Sequence, residues 1–108
     1  MISKIVAAVA AAAALASPVA AFAQDARIAR GRTFVQTNCA SCHAVGRTGE
    51  SPLRIAPPFR DLHRSYPVED LAEALAEGIT TGHPTMPEFR LDPGQIADVL
   101  AYLRSLER

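Results

Sequence analysis

Two thiols and an imidazole stand together at Cys39-Ala40-Ser41-Cys42-His43. Two cysteines with two residues between them, followed at once by histidine, form the C-x-x-C-H pattern of covalent haem attachment. On one helical turn, thiols at this spacing can reach two vinyl groups along one edge of a haem and form thioethers. The next residue then lies under the iron and offers a ring nitrogen. Other chemistries fit less well. A thioredoxin-like pair needs a preceding strand in a βαβ unit, and a helical segment precedes this one. A zinc site needs about four ligands, and only His63 and His83 remain to supply more. A plain disulfide leaves His43 unexplained, and bridging residues this close removes little chain entropy. The expected cofactor is one haem c, with its iron, per chain.

A second axial ligand is expected from Met86, in Gly82-His83-Pro84-Thr85-Met86-Pro87-Glu88-Phe89. Flanking prolines stiffen that loop, and a thioether is a soft ligand whose pairing with histidine raises the potential. Filling a core gap is the usual fate of methionine, but a proline-framed loop is a poor place for it. His83 competes from the same loop, although Pro84 confines its backbone to extended conformations. His63 reads as an ordinary polar loop residue. A metal-bound histidine normally donates its other ring N–H to a nearby acceptor, and a carbonyl within Ala56-Pro57-Pro58-Phe59 is the candidate here.

The chain has 108 residues, one domain at most. Lys4 opens it with positive charge, Ile5 to Leu15 is almost wholly apolar, Ser17-Pro18 is expected to break the helix, and Ala21-Phe22-Ala23 fits an A-x-A cleavage site. This is the layout of a secretory leader, residues 1–23, removed on export. The alternative is an uncleaved membrane anchor. Gln24 to Arg108 would remain as the folded domain, small enough that its core needs a staple. A covalently held haem supplies one.

Residues 24–66 carry seven arginines against three acids, a balance of +4, and residues 67–108 carry three against eight, a balance of −5. A nucleic-acid binder wants a strong positive field throughout, so nucleic acid is not an expected partner. The asymmetry could orient a charged protein partner, although most single charges are solvated helix faces.

Three helical segments must position these groups, and no strand pattern is evident. The first spans about Asp25 to Thr37, with Ile28, Phe34 and Val35 apolar and Gly31 in its middle. Mid-helix glycine costs about 1 kcal/mol relative to alanine, which points to close approach by another element. The second spans about Pro67 to Glu77, with Val68, Leu71, Ala72, Leu75, Ala76 and Ile79 in one stripe, Pro67 at the first helical position and Gly78 as the stop. The third spans about Pro93 to Leu106, capped by Asp92, with Ile96, Val99, Leu100, Leu103 and Leu106 as its stripe. Some two dozen residues between the first and second segments must wrap something.

With these residues in order, Asp25 to Leu106 resembles the class I c-type cytochromes, most of all their short bacterial periplasmic members. The resemblance implies an all-α, cytochrome c-like fold of three main helices and long loops around one haem. It implies that Gly31, eight residues before Cys39, packs against an aromatic of the last helix, matched by Tyr102. It makes Pro57 the carbonyl partner of His43 and matches Met86-Pro87 to the ligand loop. The chain lacks tryptophan, so the propionate contact that mitochondrial members make with it is missing. Arg54, Arg60 and Tyr66 stand as candidates instead. With no lysine beyond Lys4, the lysine ring of mitochondrial members is absent too. The expected function is single-electron carriage by a monomer, not catalysis. Redox donors and acceptors would be the partners, with membrane-bound respiratory complexes or a dehydrogenase among the candidates. The rivals are a peroxidase-like or gas-binding haem, which needs an open sixth site, and a docked subunit of a larger dehydrogenase.

Overall fold

The computed structural model describes residues 2–78 and 85–108, with side chains from residue 18 onward. Helix α1 runs Ile2–Asn38, α2 Leu71–Glu77 and α3 Pro93–Ser105. Short 3-10 turns at Phe59–Arg64 and Val68–Asp70 lie between α1 and α2. No strand occurs among the described residues. His83, Pro84 and Ile79 fall outside them.

α1 departs from the expected break at Ser17-Pro18: it is one 37-residue helix with Pro18 inside. Proline removes one amide donor and crowds the previous turn. The alanines on both sides, the best helix formers, favour the helix on either flank. Residues 18–27 are exposed throughout, with Val19 72 % and Phe22 76 % accessible. Packing begins only at Ile28. Among the described residues no helix is long and apolar enough to cross a membrane.

α1 and α3 cross at Gly31, where a Cβ would collide with the Asp98 carbonyl and lie 2.8 Å from Tyr102 Cβ. The absent side chain lets the two backbones meet. Arg30 forks onto Asp98 on the same crossing, Nε to Oδ2 at 3.0 Å and Nη2 to Oδ1 at 3.1 Å. Tyr102, buried behind Gly31, donates its hydroxyl to the Val45 carbonyl at 2.5 Å. One aromatic residue thereby joins the helix crossing to the segment that follows His43.

α3 starts as its sequence predicts. Asp92 accepts from the Gln95 amide at 2.8 Å, and the Gln95 side chain accepts from the Asp92 amide at 3.1 Å, a reciprocal capping box with Pro93 in the first turn. Asp92→Ala is expected to cost about 1 kcal/mol, read as a fall in the urea midpoint at unchanged slope. Five consecutive residues, Val99 to Leu103, are buried. This is wider than a stripe, because α3 packs on α1 with one side and on α2 and the Val68–Asp70 turn with another. Arg47 closes the far end, donating to the carbonyls of Ser105 at 2.6 Å and Arg108 at 3.3 Å, where a cation suits the helix dipole.

The second helical segment differs from expectation at its start. Pro67 is extended, φ −62° and ψ 134°, and stands outside the helix; a 3-10 turn precedes α2. Gly78 does end it, at φ 76°, a left-handed conformation that suits glycine. Val68 is buried at 1 % exposure, but Ala76 is exposed and Leu71 and Leu75 are half-buried. The stripe does not close on protein alone. It closes on a cavity.

Candidate haem site

The C-x-x-C-H segment continues the last turn of α1. The Cys39 amide donates to the Val35 carbonyl at 2.9 Å, and the His43 amide to the Cys39 carbonyl at 3.0 Å. Cys39 and Cys42 therefore sit on one helical turn, both half-buried and both free thiols. Burial pushes the Cys39 thiol up to about 11. A thioredoxin-type nucleophile needs the opposite shift, towards the thiolate. Among the described residues no group of three His, Cys, Asp or Glu side chains could hold a metal ion.

The loop after His43 folds back on this turn. Leu53 amide reaches the Cys42 carbonyl at 3.1 Å, Phe59 amide the Ala44 carbonyl at 2.9 Å, and Ala44 amide the Ser51 hydroxyl at 3.0 Å. Pro57 precedes Pro58, which confines its backbone to extended conformations. Its carbonyl lies 2.8 Å from His43 Nδ1. A carbonyl only accepts, so Nδ1 carries the proton and Nε2 keeps its lone pair. Phe59 packs beside the imidazole, ring centres 4.8 Å apart and planes tilted by 40°. Ring plane and tautomer are thus both set by the Pro57-Pro58-Phe59 corner.

These groups border one open-mouthed cavity of about 210 Å³. Cys39, Cys42, His43, Pro57 and Met86 all line it. Most of the remaining wall is apolar: Val35, Leu53, Ile55, Leu62, Leu71, Leu75, Phe89 and Leu103. The motif showed the thiols and the imidazole, but not these walls. The signal for Leu71 and Leu75 was present in the apolar stripe; its destination was not.

Of the propionate candidates, Tyr66 lines the cavity, its hydroxyl pushed up by burial and by Asp70. Arg54 is exposed between Leu53 and Ile55. Arg60 stands on the 3-10 turn with one guanidinium nitrogen buried and unpartnered. His63, expected as an ordinary polar loop residue, lies on the same turn with Nδ1 buried and unpartnered.

Comparison with known proteins decides the family. The model of the Cytochrome c family matches residues 28–107. The chain belongs to the cytochrome c family. This cytochrome is 40 % identical to a cytochrome c6 of Nostoc sp. over 78 residues, covering 68 % of this chain and 65 % of the relative. It is 32 % identical to a cytochrome c-552 of Bradyrhizobium diazoefficiens over 90 residues, 83 % of each. It is also 30 % identical over 89 residues to the cbb3-type cytochrome c oxidase subunit FixP of Bradyrhizobium sp., of which it spans only 30 %. The chain thus covers just under two thirds of the Nostoc relative's length. No solved structure matches.

The expected class I c-type, all-α cytochrome c fold therefore holds. Members of the family hold haem c covalently, and the cavity fits that group: two free thiols on one turn, an imidazole with a fixed tautomer, and apolar walls. With a single C-x-x-C-H motif, the protein is a monohaem electron-carrier cytochrome that acts with redox partners.

Proposed function

We propose that this cytochrome is exported to the periplasm, loses residues 1–23, and carries single electrons with His43 and Met86 as axial ligands. Cys39 and Cys42 hold the haem through thioethers. The carrying observation is that both thiols, His43 and Met86 border one cavity, with His43 Nδ1 engaged by Pro57. When bound, the haem supplies a one-electron ferric–ferrous couple. The chain's residues keep that couple in one geometry. Pro57 fixes the imidazole plane and leaves Nε2 for the iron. Met86, in a half-buried position on the cavity wall, would supply a thioether ligand to the iron and exclude exogenous ligands. Apolar walls limit water and raise the potential. A protein with both axial positions filled from its own chain is a carrier, not an enzyme.

The exposed, unpacked stretch 18–27 supports a leader that the folded domain does not need. The partners are donors and acceptors outside the cytoplasm, with membrane-bound respiratory complexes or a dehydrogenase as candidate classes. The domain is expected to act as a monomer.

Absorption of the oxidised protein tests the ligand set. The weak red band of iron–methionine sulfur charge transfer is expected in the wild type and absent in Met86→Ala. Carbon monoxide should bind the reduced variant readily and the reduced wild type poorly. A spectrum altered by His83→Ala but not by Met86→Ala would assign the sixth position to His83.

A further inference from the structure

We propose that Gln24 becomes the first residue of the exported protein and closes to pyroglutamate. The proposal rests on removal of residues 1–23. Cleavage after Ala23 is the cut in this segment that leaves glutamine first; cuts after Ala21 or Ala26 would leave Phe22 or Arg27. Residues 18–27 are exposed, so no packing shields the new end. Once the upstream turn is gone, the first four amides of the shortened helix have no carbonyl four residues before them. The Gln24 amine is therefore not held by the helix.

The reaction needs no partner. The neutral α-amine attacks its own side-chain Cδ, a new N–Cδ bond closes a five-membered lactam, and the Cδ–Nε2 bond breaks to release ammonia. Holding the reactants on one residue supplies the effective concentration. The surroundings favour the product. Gln24 shares a shallow groove between α1 and α3 with Arg27, Ile96 and Arg104. A protonated amine there would sit at the positive end of the helix dipole. Asp25 is the adjacent acid, and Glu69 already pairs with Arg104 at 2.6 Å. Cyclisation removes the charge altogether and leaves the α1–α3 face with a neutral end.

Intact mass of the haem-loaded protein, expressed with its leader and purified from the periplasm, tests this. The expected mass is residues 24–108 with haem, lighter by one ammonia. Stepwise amino-terminal sequencing should stay blocked until pyroglutamyl aminopeptidase is added. Gln24→Ala should sequence freely and show no ammonia deficit, which excludes loss from another amide. A protein that starts at Gln24 and keeps its ammonia after prolonged incubation at neutral pH would overturn cyclisation and leave the leader intact as a reading. A different first residue would overturn both.

Discussion

Gly31→Val is expected to lower the melting temperature of the haem-loaded cytochrome on the order of 10–20 °C. The added side chain would be driven into the Asp98 carbonyl and the Cβ of Tyr102. A backbone carbonyl inside a helix cannot swing aside as a side-chain tip can, so α1 and α3 must separate. Overpacking costs about 1–3 kcal/mol and occasionally more, and each kcal/mol moves a domain of this size by roughly 4–8 °C. Helix propensity opposes the effect only weakly: even alanine gains about 1 kcal/mol over glycine. Gly31→Ala should therefore still destabilise. Gly46, where an added Cβ would meet no atom within 4 Å, is the control, and Gly46→Ala should melt within a few degrees of wild type. A Gly31→Val protein that melts like wild type would mean the crossing is looser than its geometry.

The larger effect belongs to the thiols. The Cys39→Ala/Cys42→Ala double variant, which lacks both proposed attachment thiols, is expected to lose its cooperative thermal transition and much of its helical circular dichroism. Leu53, Leu71, Leu75, Phe59 and Phe89 border the cavity and are not buried by the protein alone. Burying each such side chain is worth about 1.5–3 kcal/mol, and a whole domain is stable by only about 5–15 kcal/mol. Several of them facing water would consume that margin. The single variant Cys39→Ala, which keeps one thioether and His43, should retain a transition at lower temperature. A double variant that unfolds cooperatively would show that α1, α3 and the 3-10 turns suffice without the cofactor.

Features legible in the sequence were those set by a few neighbouring residues. Cys39, Cys42 and His43 declare their chemistry through spacing alone. Asp92, Pro93 and Gln95 start α3 through contacts three residues apart. Gly78 ends α2 because its φ of 76° is a conformation other residues resist. Where local preferences nearly balance, the sequence misled. Pro18 suggested a break, yet strong helix formers on both sides carry α1 through it. Pro67 suggested a first helical residue, yet its extended backbone begins a 3-10 turn instead.

Tertiary structure alone decided the rest, because the deciding contacts join distant residues. A mid-helix glycine says that something approaches, and the family resemblance pointed to Tyr102; only the crossing adds the Asp98 carbonyl of α3. A half-stripe of leucines says that something covers it; only the fold shows Leu71 and Leu75 on the same cavity as Cys39 and Met86. The imidazole of His43 needs an acceptor; the resemblance pointed to Pro57, and the fold brings that carbonyl, 14 residues away, to 2.8 Å. Spacing along the chain specifies which groups can react. Closure of the loops decides which of them face each other, since that depends on packing no local pattern encodes.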